Sequence, residues 1–515
     1  MDKAVLLTIR LQGVEPAQDA RRGDLSLQED PENEVAIIYK MASFRSLQEV
    51  AIFLRKFRRR IIVIESSPEE MAYFLEQEEV KALLSQEGFA WHLLEDLTEP
   101  FFIKLAWETL FLKKMMKTSF PDGGFAWLKE KMRYAEDGVL LTLSEYSDYG
   151  LKRLRHLQVN LSSLRESIGV SQLKFPEVPA IICGAGPSLK EHFSLLKTLS
   201  HKALIFAGGS GLSVLIQEGI RPHFAVMVDP DSLANQGLGC LSHEIPLIYQ
   251  MRLAPEILRH YQGGKVLCRS SMESDMESYW LEELGCEEKP LESGWHVGNC
   301  MATLAAEMGC NPIVLVGMDM AYERGQEYVE GVYTQETKKE IEVESTTKVT
   351  RRDLLVGREF FAQLPQRYPY QRFIHVTVEG LSIPNMEPMS LEKESALWKA
   401  EHDLAGWIQQ QFFTARTVVQ GDPAEAMGKV KEGLQRIEVL LLSMVQKLKE
   451  GEKGFLKIAL EEYELEEDPL YKHYLEPLWL AWRFVYHKAA KEWEKKLEQA
   501  LFYLEAIQKY RCLLE

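Results

Sequence analysis

Cysteine is sparse in this chain. Seven are scattered through 515 residues, at positions 183, 240, 268, 286, 300, 310 and 512, and no two have C-x-x-C spacing. An odd, dispersed set does not make a disulfide framework, so a reduced cytoplasmic setting is expected. Long apolar runs are also missing, and nothing approaches the roughly 18 residues of a membrane span. Positive charge is in deficit, with 60 Lys and Arg against 77 Asp and Glu and a formal charge of −17. That balance speaks against sequence-independent nucleic-acid binding, which needs a basic surface, and against docking on anionic membranes. The first residues, Met1-Asp-Lys-Ala-Val-Leu-Leu-Thr8, carry an early acid and no apolar core, a poor signal peptide. No internal repeat or low-complexity tract is visible. The expectation is a cytoplasmic protein with no membrane span and no nucleic-acid partner.

What is present is ordinary globular composition, 46% hydrophobic and 27% charged, over a length that suits about two to four domains. Residues 35–39 and 61–65 read as buried strands, with helical periodicity from Ser46 to Phe57 between them. This βαβ unit puts Glu65 where a dinucleotide domain keeps its ribose-binding acid. The turn after the first strand, Lys40-Met-Ala-Ser-Phe44, has no glycine, so a scaffold without a cofactor is the alternative. Residues 100–172 read as mostly helical. From Pro179 strands alternate with helices. Strands are expected at 180–184, 203–208, 224–229, 246–250, 265–269, 312–317 and 373–377, and helices near 188–199, 211–218, 273–284 and 297–308. Gly219 and Gly309 fall where glycines follow helix ends. That alternation predicts a mostly parallel, doubly wound sheet. Residues 321–360, with Thr346-Thr-Lys-Val-Thr350 and Arg351-Arg352, read as a long loop or lid. Beyond about 388 the strands stop. Leu391 to Val419 has a long amphipathic helical pattern, Gly421-Asp-Pro423 breaks it, and further helices run to the end. The boundaries drawn are 1–158, 159–388 and 389–515.

Five clusters at predicted strand ends carry candidate chemistry. Pro179-Ala-Ile-Ile-Cys-Gly-Ala-Gly-Pro-Ser-Leu189 is a strand, a glycine turn and a helix start. Ser188 and Glu191 have capping-box spacing, and Gly184, Ala185, Gly186, Pro187, Ser188 and Leu189 form a cradle suited to a phosphate. Gly208-Gly209-Ser210-Gly211 leaves room for a base or sugar, or is a flexible turn. Asp229 and Asp231 are a D-x-D pair, suited to a metal, to substrate hydroxyls, or to capping a polar turn. Ser293-Gly294 and Asn299 surround another helix start, where Ser293 is either a ligand or an ordinary cap and His296 either a base or structural. Gly317-Met-Asp319 ends a buried strand, with Tyr322 and Tyr328 following. A carboxylate and tyrosines there serve proton transfer or a leaving phosphate, or Asp319 anchors the next loop.

In series, these motifs make residues 159–390 resemble the motility-associated-factor (Maf) flagellin glycosyltransferases. The resemblance rests on Pro179–Leu189, Gly219-Ile-Arg-Pro222 leading into Val228-Asp229-Pro230, Val297 to Gly309 leading into Val316-Gly317-Met-Asp319-Met-Ala-Tyr322, and Thr377-Val-Glu379-Gly380 with Ile383. The central motifs are also similar to small bacterial sialyltransferases and to the hydroxymethylpterin diphosphokinase-like (MptE-like) group. The resemblance implies a degenerate Rossmann-like N-terminal domain, a central doubly wound sheet and a C-terminal all-α bundle. It implies transfer of a nonulosonic acid, pseudaminic or legionaminic, from a CMP-sugar to a Ser or Thr of flagellin or another protein. No metal is obligatory on that model. The Gly184–Leu189 loop and Ser293-Gly294 hold the nucleotide, Asp229, Asn299, Glu379 and Gly208–Ser210 line the donor pocket, and Asp319, Tyr322 and Tyr328 serve the chemistry. Two positions depart from the family: Gly209-Ser210 stand where Maf proteins carry Asp or Thr, and Tyr328 where many carry His. The general base is thereby unassigned. The alternatives are a diphosphokinase using Mg-ATP, with Asp229 and Asp231 as metal ligands, and a non-catalytic scaffold that binds flagellin or a secretion substrate.

Overall fold

The computed structural model describes residues 33–514 apart from 41–43, 55–58, 87, 111, 119, 231–243, 272–274, 323–325, 327, 331, 333–340, 343–347, 377–379, 477 and 480–490. The chain forms two compact units, Met1–Thr142 and Leu143–Glu515.

The first unit is built on four parallel strands, β1 (Val35–Tyr39), β2 (Arg60–Glu65), β3 (Phe89–Leu93) and β4 (Lys114–Lys117), in the order β3-β2-β1-β4. That is the first half of a dinucleotide-binding sheet. Its chemistry differs. Glu65 is fully buried and turns inward, accepting from the Ser66 N–H at 2.8 Å. Beside the carboxyl end of β1, Lys40 pairs with Asp122 at 2.5 Å, and Asp122 accepts from the Gly124 and Phe125 N–H groups. A carboxylate of the chain itself thus occupies a helix start at the switch point between β1 and β4. Glu65 is thus turned inward, unlike a ribose-binding acid at that position.

The second unit carries nine strands, β5 (Ser167–Gly169), β6 (Ala180–Cys183), β7 (Leu204–Gly208), β8 (Phe224–Met227), β9 (Leu247–Tyr249), β10 (Lys265–Leu267), β11 (Ile313–Val316), β14 (Phe373–Val376) and β15 (Glu387–Pro388), with a small antiparallel pair of β12 (Ile341–Glu342) and β13 (Val349–Thr350). The large sheet runs β15-β14-β11-β6-β7-β8-β9-β10-β5, every neighbour parallel. Side chains alternate between two cores. Ile181, Ile205, Ala225 and Leu247 face one, Ile182, Phe206, Val226 and Ile248 the other. Each fully buried Ile, Leu or Phe contributes about 2 kcal/mol, and covering both faces is what makes these strands continuously apolar. Helices Val297–Glu307, Arg352–Arg367 and Leu404–Thr414 supply the second core. Helix Pro423–Leu448 and the C-terminal helix Glu492–Leu514 share the first core with the sheet. The α/β class, the parallel sheet and the late helices agree with the sequence-based expectation.

Three expectations change. The stretch 100–172 is helical at Glu99–Thr109 and Gly123–Asn160 but also holds β4 and β5. The single helix expected over 391–419 is two, Leu391–Ser395 and Leu404–Thr414, because Ser390 and Asp403 each cap a new start through their side chains. Ser188 and Glu191 form no capping box. Residues Pro187–His192 are a 3₁₀ turn, with Gly186 at its N-cap and no side-chain cap.

His223 ties the amino ends of two central strands together. Its Nδ1 accepts from the Ile205 N–H at 3.0 Å, and burial pushes its pKa down to about 4. His296, pushed down to about 4 by burial, acts in the same direction. A histidine that is neutral when folded and has a pKa near 6.5 when unfolded contributes stability in full above pH 6.5. That stability is lost as pH falls toward 4, because the unfolded chain takes up the proton first. Between pH 7 and 5, where most carboxylates stay ionised, His223 should cost the fold about 2 kcal/mol. Urea unfolding across that window is expected to show the decline, and His223→Gln to reduce it, with the part due to His296 remaining.

Candidate functional site

β6 lies at the topological switch point, with β7 to β10 on one side of it and β11, β14 and β15 on the other. Ligand crevices of doubly wound sheets open outside the carboxyl ends of such strands. The register places Val316, Cys183, Ala207 and Ala225 on one line across the sheet. The loops after that line therefore begin side by side: Gly317 to Asp319 after β11, Gly184 to Leu189 after β6, Gly208 to Gly211 after β7, and Val228 to Asp229 after β8. Four of the five predicted clusters meet here directly. The fifth joins them because the helix start at Val297 lies against β7. A Cβ on Gly208 would come within 2.5 Å of Val297 and 2.6 Å of the Val226 carbonyl, so only glycine fits.

The Gly184–Leu189 loop is internally tied. The Gly184 N–H donates to the Val316 carbonyl, the Gly186 N–H to Gly317, and the Leu189 N–H to Gly186. The Ser188 N–H donates to Asp319 Oδ2 at 3.0 Å and its hydroxyl to Oδ1 at 2.5 Å. Asp319 is 2% exposed. Its carboxylate sits where the sequence pattern placed an incoming phosphate, so it clamps the loop and does not face a substrate. Gly186 follows from this, since a Cβ there would meet Asp319 Oδ2 at 2.3 Å. Cys183, in the same motif, is buried, and its thiol is pushed up to about 12, so it is no nucleophile.

The uncapped helix start is the neighbouring one. Helix Gly209–Gln217 begins directly at the end of β7 with no side-chain cap, and Gly209 and Ser210 are half-buried. Four N–H groups at such an end need partners from outside the helix. The tyrosines are carried to the same edge. The Val329 N–H donates to the Ala185 carbonyl at 2.8 Å, which lays Tyr328 beside the loop. The Tyr322 N–H donates to the Val349 carbonyl, and the Thr350 hydroxyl to Met320. Both tyrosines are half-buried, as is Asp229.

Two other candidates turn out to be occupied. Asn299 is fully buried; its Oδ1 accepts from the Trp295 N–H and its Nδ2 donates to the Gly357 carbonyl. It holds two helices together and does not face a donor pocket. Ser293 does not cap its helix; His296 does, through Nδ1 accepting from the Asn299 N–H. The Ser293 hydroxyl, also buried, bonds Ser270 Oγ at 2.6 Å, while Gly294 stays half-buried at the edge. His296 Nε2 is buried against Gly357, so this histidine is no base. Glu379, Asp231 and part of the expected lid, including Thr346, lie outside the described residues, and the end of that lid is not a loop but the start of helix Arg352–Arg367. Among the described residues no group of three or more His, Cys, Asp or Glu is placed to hold a metal ion, and no helix is long and apolar enough to cross a membrane.

Sequence reasoning missed Ser270 and His375. Ser270-Ser271 is a pair of small polar residues at a predicted strand end, a signal of the same kind as the motifs that were found. His375 is a polar residue inside an apolar strand, and its Nε2–H donates to the Met318 carbonyl at 2.9 Å, next to Asp319.

Residues 155–325 match the family described as 6-hydroxymethylpterin diphosphokinase MptE-like. The match lies within the central part of the chain. No curated protein matches the sequence. Among solved structures the chain is similar to one described as a Maf glycosyltransferase from Magnetospirillum magneticum AMB-1, at TM-score 0.59 and 15% identity, covering 99% of this chain and 87% of that one. At that identity the likeness is one of fold, and it extends beyond the MptE-like domain to both ends of the chain.

The clamp makes a prediction. Gly186→Ala forces a methyl onto Asp319 and the Gly317 carbonyl and should destabilise the fold by about 2 kcal/mol. Asp319→Asn keeps the side-chain shape but weakens two charge-assisted bonds and should cost about as much. Because both changes strike one contact, the double variant should lose less than the sum, measured as a urea-midpoint cycle.

Proposed function

We propose that the MptE-like domain transfers a sialic-acid-like nonulosonic acid from a CMP-sugar to a hydroxyl of flagellin or another protein. The observation that carries this is the uncapped start of helix Gly209–Gln217 beside the sheet's switch point, with half-buried Tyr328 laid against the neighbouring Gly184–Leu189 loop. A CMP-sugar departs as a monophosphate, so the charge that must be stabilised develops on phosphate oxygens. Helix N–H groups and tyrosine hydroxyls suit that need without an obligatory metal. The phosphate is assigned to Gly208–Ser210, the leaving-group contacts to Tyr322 and Tyr328, and the walls to Gly184–Leu189 and Gly294. The fold shared with a structure described as a Maf glycosyltransferase supports glycosyl transfer in general.

A second reading, diphosphoryl transfer from Mg-ATP, has the family description in its favour. It needs a metal at Asp229 and Asp231, and transfer that persists in EDTA excludes it.

Calorimetry with CMP and a CMP-sialic acid tests the first reading. Binding is expected, and Ser210→Glu, which puts a carboxylate at the helix start, should weaken it at least tenfold, or about 1.4 kcal/mol. A correctly folded wild-type protein that binds no cytidine nucleotide overturns it.

A further inference from the structure

With the phosphate at Gly208–Ser210, the base of the nucleotide still needs a partner, and one buried amide at the carboxyl edge has an acceptor that the protein itself does not use. Gln250 directly follows the last residue of β9 and is 3% exposed. The ladder fixes its place. Tyr249 pairs with Leu267, and the Cys268 N–H donates to the Tyr249 carbonyl at 2.9 Å, so Gln250 and Cys268 share the next rung. They share a face as well. Tyr249 and Leu267 belong to the first core, Ile248 and Cys268 to the second, and side chains alternate along a strand.

The Gln250 amide N–H donates to the Cys268 sulfur, whose S–H donates in turn to the Arg269 carbonyl at 3.6 Å. That contact settles how the carboxamide lies, with its nitrogen on the thiol and its oxygen turned away. Among the described residues no group donates to the oxygen, nor is it sealed from solvent. It is a fixed acceptor in a buried side chain, suited to an N–H group from outside the protein.

The first turn of helix Val297–Glu307 links this acceptor to the phosphate position through contacts at both ends. Val297 lies against Gly208, and Cys300 against Cys268. Gly208, Val226 and Ile248 stand on one rung, so Gln250 is two strands across and two residues on, about 10 Å by 7 Å. A nucleoside monophosphate seated on the helix start at Gly209 would reach across that interval with its base.

We propose that Gln250 reads the base of the donor, its amide oxygen accepting from the exocyclic amine of cytosine, an assignment that rests on the CMP-sugar reading above. Uracil carries a carbonyl oxygen where cytosine carries that amine. Two acceptors then face each other, and the unpaired Gln250 oxygen weakens binding of a uridine nucleotide. Cys268 is the positioning residue, because it keeps the amide from turning over to offer its N–H to uracil.

Calorimetry of CMP and UMP against the wild type and three variants tests this. The wild type is expected to bind CMP at least tenfold more tightly than UMP. Gln250→Leu should lower CMP affinity about tenfold and leave UMP affinity within about twofold, so that the preference is lost. Gln250→Glu keeps an acceptor in place and should keep the preference for CMP. Cys268→Ala frees the amide to turn and should raise UMP affinity at least threefold. Equal binding of CMP and UMP by the wild type overturns the assignment, and so does a Gln250→Leu variant that still prefers CMP. A wild type that binds neither nucleotide overturns the glycosyl-transfer reading itself.

Discussion

The contact between the Asp319 carboxylate and Ser188 organises the carboxyl edge of the central sheet. A buried carboxylate is costly unless its oxygens are bonded, and here one backbone N–H and one hydroxyl meet it. Each such bond to a charged acceptor contributes about 1.5–3 kcal/mol. The clamp joins the loop after β6 to the loop after β11 across the switch point. Gly186 is required to admit the carboxylate, and His375 steadies the turn that carries it from below, through the Met318 carbonyl.

The clamp also redistributes roles. A strand, glycine turn and helix start in series normally signals an anion cradle. Here the chain's own carboxylate fills that cradle, so the next helix start, at Gly209, is the one left without a side-chain cap. The first unit shows the same device, with Asp122 against the Gly124 and Phe125 N–H groups and the Lys40 ammonium. In both units an internal carboxylate has taken the position of a phosphate in a nucleotide-binding sheet. In the second unit the rim keeps half-buried Ser210, Asp229, Tyr322 and Tyr328.

Much of the fold was legible residue by residue. Every strand expected between 180 and 377 is present, within one or two residues at its ends, because each is a short apolar run bounded by turn formers. Gly219 and Gly309 end their helices at positive φ, 74° and 85°. β3, Phe-Ala-Trp-His-Leu, and helix Arg352–Arg367 within the expected lid went unread, as did elements that are short or polar: β5 has three residues, β15 two, and β4 is Lys-Met-Met-Lys. Such pieces form because a neighbouring strand offers a ladder, and periodicity does not record that. The broken helix at 391–414 was hidden because Ser390 and Asp403 act as caps only when the chain turns there.

The sequence by itself determined which residues are buried strands, that the strands are parallel, and that small and acidic residues gather at their carboxyl ends. Those are local properties, set by apolar runs, glycine punctuation and the alternation of strand with helix. Only the tertiary structure decided which acid does what. Asp319 and Asp229 look alike in sequence, each at the end of a buried strand. Strand order puts the first over the Ser188 N–H, inside the protein, and leaves the second at the rim, because β11 lies against β6 at the switch point while β8 lies two strands away.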